Sequence, residues 1–440
     1  MVIERAGAPF AHLAQLDRVH RDVYVDPAVF EEEMRQVFGR AWLFVGHESQ
    51  APNPGDYFTT TLVGRPVVMV RQADRSLKVL YNRCGHRGAL VAIGQRGNVR
   101  QFNCMYHGWS FALDGTLLHV PLQSGYEGTA FDRCNPAYGL PPLPAVASYR
   151  GFVFARLASA GPGLEDFLGG ARQIFDHLID LAPGGRVIVT GASFRTIYPC
   201  NWKIYLENLH DGVHPRFVHS SSVSASRAVA SQRPGQATLD DFAIGVIEAN
   251  GQSFGAMDEL EVRTFDHGHS DMRGFRKPPS TDPALMELAR RLAGRHGEAG
   301  AAEVLARNWH NMCVYPNLSL HPGFLQLRVL TPLAVTRTMV EIWTMRLDGA
   351  PDEIHQRAIA YANTVHSPTS IIKPDDLEAY KRVQLGLLAD ESQWVSNHRR
   401  CGKEQAEAGA LKDSALSEHY IRNQYRAWRG YMERGDGNAD

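Results

Sequence analysis

Apolar positions recur at helical spacing in 27–40 (PAVFEEEMRQVFGR), where Val29, Phe30, Met34, Val37 and Phe38 share a side. The acidic residues of this stretch come early and Arg40 comes late, the order a helix dipole prefers. The period then changes. Segments 59–62, 66–71 (PVVMVR) and 79–82 are short, β-branched runs broken by Gly64 or Asp74-Arg75, and they read as strands. Segment 151–156 (GFVFAR) reads as the last of the series. Together they predict a small all-β domain over 43–157, closed by the small-residue linker 158–163 (ASAGPG). Residues 1–42 form a helical N-terminal segment expected to pack on the C-terminal domain.

Beyond the linker, 164–181 reads as helix and 186–198 as strand. From Phe242 onward, strands alternate with a helix over 283–295. Segments 311–320, 324–330 and 337–347 are strand-like and joined by short turns, which predicts an antiparallel sheet rather than βαβ units. Helices follow at 351–364, 374–388 and 417–433, and the tail 434–440 is expected to be disordered. The fold class is α+β, with an all-β domain followed by a larger antiparallel-sheet domain over 164–440.

Composition narrows the function without naming it. A chain of 440 residues with 44% hydrophobic and 21% charged residues has apolar mass for two ordinary cores. Lys+Arg 46 against Asp+Glu 47 gives a net charge of −1, so no basic excess recommends nucleic acid. No apolar run reaches membrane-spanning length, and the first residues lack the apolar core of a signal peptide. Outside one motif, Cys134, Cys200, Cys313 and Cys401 are isolated, without disulfide-like spacing. The expectation is a cytoplasmic protein without nucleic-acid or membrane partners.

That motif is the strongest signal in the chain. Cys84-Gly85-His86-Arg87-Gly88 is followed, after seventeen intervening residues from His86, by Cys104-Met105-Tyr106-His107-Gly108-Trp109. Two thiols and two imidazoles form a four-ligand set for a soft metal. A Cys2His2 zinc site is one reading, and a Rieske [2Fe–2S] centre, with two Cys on one iron and two His on the other, is the second. A zinc finger groups Cys with Cys and His with His. Here each knuckle carries one of each, so two similar loops can each give one ligand to each iron. Gly85, Gly88 and Gly108 let the backbone approach the sulfurs. The pattern selects the Rieske reading.

A second cluster lies in 201–219, where His210, Asp211, His214 and His219 crowd together. On a helix, Asp211 and His214 would share a face, about 60° apart. His214 and His219 would be about 140° apart on a straight helix and unable to share an ion. Pro215 disfavours the helical conformation at His214, so a break there is expected to return His219 to the same point. Two imidazoles and a distant carboxylate would make the facial triad of a non-haem Fe(II) oxygenase. With nineteen histidines in the chain, chance neighbours are the competing explanation, and His210 is set aside as a packing residue. The carboxylate is sought in Pro374-Asp375-Asp376, where Asp375 can cap a helix and leave Asp376 to face inward.

With both clusters in view, the chain resembles the large (alpha) subunit of Rieske non-haem iron aromatic-ring-hydroxylating oxygenases over nearly its whole length. The residues that carry the likeness are Trp42, Pro54-Gly55-Asp56-Tyr57, Cys84, His86, Cys104, His107, Gly108 and Trp109. They continue with Asn201-Trp202-Lys203, Glu207-Asn208, Asp211, His214, His219, and Asp376 eight residues before Gln384. The resemblance implies a helix-grip (START-like) catalytic domain, a Rieske [2Fe–2S] cluster, a mononuclear Fe(II) on His214, His219 and Asp376, and O2 as co-substrate. It implies electrons from a separate NAD(P)H-dependent reductase, directly or through a ferredoxin, and the chain itself carries no nucleotide-binding fingerprint. It also implies a homotrimer, or an α3β3 assembly with a small β subunit. Asp211 and Asn208 enter as catalytic-site residues on the same basis. Asp211 would accept a hydrogen bond from an imidazole of the iron site and, across a trimer contact, reach towards the neighbour's His107.

The activity implied is hydroxylation of a small aromatic substrate, to a cis-dihydrodiol or, if one oxygen atom is inserted, a phenol. Pro215 and Arg216 differ from the more apolar helix end common in hydrocarbon dioxygenases and point away from a purely hydrocarbon substrate. Strand alternation puts Phe324, Gln326 and Arg328 on one face, where Arg328 would pair with a substrate carboxylate or serve a structural salt bridge. Val213 and Phe217, beside the histidines, are further candidate substrate contacts. Two rival readings stand. One is a Rieske monooxygenase or demethylase acting on a non-carboxylate substrate, and the other is an electron carrier with a ligand-binding module.

Overall fold

A computed structural model describes residues 10–232, 239–275 and 281–433. The chain forms two compact units. One comprises Phe38–Leu164; the other joins Met1–Val37 to Glu165–Asp440.

The smaller unit is built from short antiparallel strands. Asp56–Leu62, Arg65–Arg71 and Leu77–Tyr81 form a meander, with Arg96–Asn98 on its edge. Its first hairpin turns through Val63 and Gly64, both at positive φ, the two-residue geometry whose twist matches the flanking strands. Phe102–Asn103, Ser110–Phe111 and Leu117–His119 make a second sheet; Leu43–His47, Ala145–Tyr149 and Phe152–Arg156 make a third. Val68, Val70, Leu80, Phe102, Trp109, Phe111 and Leu140 fill the core, and Cys84 and Cys104 are buried in it.

The larger unit centres on an antiparallel sheet of nine strands among the described residues. Its order is Val187–Tyr198, Arg337–Leu347, Gln326–Ala334, Leu318–His321, Arg307–Val314, Ser270–Phe275, Glu261–Thr264, Ala410–Ser414 and Gln405–Glu407. The C-terminal helix His419–Glu433 packs against it and buries Tyr420, Tyr425 and Trp428. The N-terminal helix Pro27–Gln36 is tied in by its buried Glu33, which accepts from Trp202 Nε1 at 2.8 Å, Trp428 Nε1 at 2.7 Å and Lys203 Nζ at 2.5 Å. Removing one partner of such a buried pair would cost about 3–5 kcal/mol, because the other charge is left stranded.

Several elements differ from the sequence pattern for local reasons. The 164–181 helix splits into Leu164–Leu168 and Arg172–Asp180 around Gly169, which has a φ of +46°. The 283–295 helix continues to Ala306 through a kink at Gly297. The 311–320 strand is a hairpin, Arg307–Val314 and Leu318–His321. Phe324 ends the short 3-10 helix Pro322–Phe324 and Leu325 is left-handed, so the next strand starts at Gln326. Phe242 opens no strand and lies in the helix Leu239–Glu248. The tail 434–440 lies outside the described residues.

Candidate metal centres

The two Cys–His loops repeat one another bond for bond. Cys84 N–H donates to the Ala89 carbonyl at 2.8 Å and Gly88 N–H to the Cys84 carbonyl at 3.0 Å; Cys104 N–H donates to Trp109 at 2.8 Å and Gly108 N–H to Cys104 at 3.0 Å. Both turns need a left-handed residue, and Gly88 (φ 76°) and Gly108 (φ 71°) supply it without steric penalty. The loops thereby bring the His86 and His107 rings to 4.6 Å, with His86 stacked on Trp109 at 5.0 Å. The cysteines are buried while the histidines are partly exposed. Burial pushes the Cys84 thiol above its usual pKa, and the adjacent Cys104 thiol adds to the shift. Two apposed thiols in an apolar core fit a metal cluster that takes them as thiolates.

The second centre collects on three segments. Trp202–Asn208 is a helix capped by Asn201, whose side chain accepts from Lys203 N–H. Asp211 lies in the following loop, not on a helix face as expected; its Oδ1 accepts from Val213 N–H at 2.8 Å, and its Oδ2 comes within 3.5 Å of His214 Nδ1. Pro215 also acts differently from the expectation. It opens the single-turn helix Pro215–Val218 as its first residue, with His214 helical at φ −59° and ψ −35°. That is the position where proline's missing N–H costs nothing. His214 and His219 bracket this turn, and their rings come to 5.8 Å.

The carboxylates come from the helix Lys373–Gly386. Asp376 Oδ1 lies 3.8 Å from His214 Nε2 and 3.4 Å from His219 Nε2. Ligand atoms of these three residues all lie within 4.8 Å of one another. Asp376 Oδ1 is buried without a hydrogen-bond partner while facing two ring nitrogens, a donor set that fits a divalent metal. Asp375 does not cap its helix. The helix starts two residues earlier, where Ser370 Oγ accepts from Ile372 and Lys373 N–H at 3.1 Å. Asp375 Oδ2 instead meets His219 Nδ1 at 3.3 Å and accepts from Ser222 Oγ at 3.0 Å. Each imidazole thus has a carboxylate on its Nδ1 side, an arrangement that fixes the tautomer presenting Nε2.

A cavity of about 300 Å³ opens beside the triad, and Asn208, Asp211, Arg328 and Tyr361 also line it. Val213 and Phe217 are not in its lining. The short turn rotates Phe217 outward to 65% exposure against Phe254. His210 is fully buried, with Nε2 3.3 Å from the Asn311 carbonyl and its pKa pushed down to about 3 by burial, away from the triad. Arg399 escaped the sequence pattern. Its Nη2 lies 3.4 Å from Asp211 Oδ1, and only the pair of basic residues at 399–400 hinted at it. Burial raises the Asp211 pKa, but the hydrogen bond and charge of His214, the Val213 N–H and Arg399 outweigh it and hold the carboxyl below its usual range.

Residues 41–147 match the family model of the Rieske [2Fe-2S] domain, and residues 182–433 match that of the ring-hydroxylating alpha subunit catalytic domain. The chain belongs to the ring-hydroxylating alpha subunits. Among similar alpha subunits, that of toluate 1,2-dioxygenase from Pseudomonas putida is 33% identical, over 84% of this chain and 79% of its own. The large subunit of 2-halobenzoate 1,2-dioxygenase from Burkholderia cepacia is 31% identical, over 95% and 90%. The fold is also that of naphthalene 1,2-dioxygenase from Rhodococcus sp. bound to indole, with a TM-score of 0.80, 24% identity and 95% of each chain covered. As a ring-hydroxylating alpha subunit, this protein is an oxidoreductase that hydroxylates an aromatic substrate with O2 and NAD(P)H-derived electrons. Its cofactors are a Rieske [2Fe–2S] cluster and a mononuclear iron. Alpha subunits of this family work with a reductase or ferredoxin. Among the described residues no helix is long and apolar enough to cross a membrane.

Proposed function

We propose that this alpha subunit dioxygenates an aromatic carboxylate, with the acid group held by Arg328 and the ring beside an iron on His214, His219 and Asp376. The observation that carries this reading is the state of Arg328. It lines the cavity at 7% exposure, and among the described residues no carboxylate lies within ion-pair range of it. Its neighbours are neutral: Asn311 Oδ1 at 3.3 Å and the hydroxyls of Tyr205 and Tyr361. A buried guanidinium without a counter-ion is costly, and a substrate carboxylate supplies the bidentate partner it lacks. Relatives named for toluate and 2-halobenzoate support the same substrate class.

The iron supplies O2 activation and the Rieske cluster, on Cys84, His86, Cys104 and His107, supplies electrons singly. The chain's own residues do the rest. Asp211 and Asp375 orient the two imidazoles, Asn208 closes one wall, and Arg328 sets which ring edge faces the metal. The assembly in this reading is a homotrimer or α3β3, with Asp211 of one subunit serving the His107 side of the next. Isolated, unpaired cysteines fit a reducing, cytoplasmic setting.

The test is turnover by the reconstituted holoenzyme of benzoate, toluates and halobenzoates against benzene and biphenyl. Acids should be preferred, both atoms of labelled O2 should enter the product, and Arg328→Gln should raise KM for acids by about 100-fold. Equal turnover of hydrocarbons, indifferent to Arg328→Gln, would sink the carboxylate reading. Sedimentation of the purified protein, alone and with a β subunit, checks the assembly.

A further inference from the structure

Two more polar side chains line the mononuclear cavity. His321 and His366 are 6% and 8% exposed, so both are more than nine-tenths buried. His321 ends the strand Leu318–His321, whose register sets Ser319 opposite Arg328 and His321 opposite Gln326. Alternation therefore puts His321 and Arg328 on the same sheet face as diagonal neighbours, about 7–8 Å apart. His366 is the last residue of the helix Asp352–His366. Tyr361, from the same helix, has its ring 5.4 Å from His321 and 5.8 Å from His366, and its hydroxyl meets Arg328. Two imidazoles thus flank the phenol that the guanidinium touches.

Their nitrogens are not fully used by the protein. His321 Nδ1, His366 Nε2 and Arg328 Nε are buried without a hydrogen-bond partner. Each orphan of this kind costs about 1–3 kcal/mol, so three in one cavity mark a place where a ligand completes the pairing. Burial, then the Arg328 cation, keeps both imidazoles well below their usual pKa, so each ring is neutral and offers one donor and one acceptor. The other cation of the lining is already committed, since Lys373 Nζ donates to Thr196 Oγ1 at 2.6 Å and to the His366 carbonyl.

We propose that His321 and His366 read a second, hydrogen-bonding substituent, so that the substrate class is a benzoate that also carries a ring hydroxyl or amino group. This rests on the carboxylate reading of Arg328. A hydroxyl or amino group matches a neutral imidazole that both donates and accepts. Methyl or halogen at the same place leaves the nitrogens unpaired. A second carboxylate meets two uncharged rings and no free cation among the described lining residues.

The test is calorimetric titration of the anaerobic holoenzyme with benzoate, methyl- and chlorobenzoates, hydroxy- and aminobenzoates, and benzenedicarboxylates. At least one hydroxy- or aminobenzoate should bind about tenfold or more tighter than benzoate, the gain of one to two neutral hydrogen bonds. His321→Leu and His366→Leu should each compress that ratio to within about threefold, whereas His321→Asn and His366→Asn, which keep a donor and an acceptor, should retain part of it. The ratio is taken within one protein, so a general loss of affinity does not imitate the effect, and the unmutated enzyme reads out even if a variant fails to fold. Benzoate binding as tightly as every hydroxy- and aminobenzoate, a preference for dicarboxylates, or a ratio unmoved in both leucine variants overturns the proposal. Arg328→Gln separates the two readings. If it weakens benzoate and hydroxybenzoate alike, the carboxylate contact stands whatever the histidines do. If it changes neither while the leucine variants still collapse the ratio, the carboxylate contact fails and the histidine reading survives.

Discussion

Asp375 Oδ2 lies 3.3 Å from His219 Nδ1, while the next residue in the chain, Asp376, reaches Nε2 of the same ring at 3.4 Å. One imidazole is therefore held from both nitrogens by consecutive residues, and the two carboxylates have separable duties. Asp376→Ala should lose the mononuclear iron while the red-brown cluster stays. Asp375→Ala should keep the triad but weaken metal affinity by about 10–100-fold, as loss of an orienting carboxylate does. Iron counting by absorption and plasma emission on both variants decides, and the opposite ranking would make Asp375 the ligand.

Asp211→Asn is nearly isosteric but uncharged, and it keeps an acceptor for Val213 N–H while weakening the grip on His214 and Arg399. Both irons should stay largely bound while turnover falls by about 100-fold or more. Single-turnover spectroscopy should find the cluster reduced normally by its partner but slow to reoxidise with substrate and O2 present. Rapid reoxidation with normal product yield would reduce Asp211 to a loop-closing residue.

His86 and His107 are the partly exposed members of their loops, and imidazole ligation is what raises a Rieske potential. Changing either to Cys should keep four ligands and lower the midpoint potential by about 200 mV or more. Protein-film voltammetry checks this, and an unchanged potential removes that residue from the cluster.

A pH effect is expected from Glu207, whose Oε1 accepts from Tyr24 at 2.9 Å and Tyr425 at 2.7 Å. Burial pushes its carboxyl up to about 7, against the lowering pull of the two hydroxyls and Lys203. The folded state thus holds a proton that the unfolded chain releases near the ordinary glutamate value of 4.5. The stability present below that value is lost as pH rises through about 7, a change of about 3 kcal/mol. Glu207→Gln should flatten this slope and gain in thermal midpoint over the native protein at pH 8. Parallel melting curves of the two proteins from pH 4.5 to 8 would contradict the assignment.

The Cys–His loops were legible in the sequence because ligand spacing, glycines and hydrogen bonding are all local there. The mononuclear site was legible in its residues and misread in its mechanics. Asp211 meets His214 through a loop rather than a helix face, and Pro215 starts a turn of helix instead of breaking one. Val213 and Phe217 fail as wall residues for the same reason, since adjacency to a ligand in sequence says nothing of direction once a single turn intervenes. His321 is brought to the site by sheet register, His366 by helix packing and Arg399 by a turn, all over long separations that no spacing rule encodes. Arg328 could be placed from alternation because it lies inside a regular strand; Phe324 lines the same cavity, but from the short 3-10 helix before that strand.

The first turn of the helix Lys373–Gly386 carries both carboxylates that face His219, and at its start the Ser370 hydroxyl accepts from the Ile372 and Lys373 amides. Helix ends fray before the body of a domain opens. A metal held by Asp376 would therefore be released through a local event at 370–376, with a residence time decoupled from the melting of the sheet. A chelator should strip the mononuclear iron at the exchange rate of the Ile372 and Lys373 amides, long before the protein unfolds, and Ser370→Ala should shorten the life of the loaded enzyme more than it lowers its melting point.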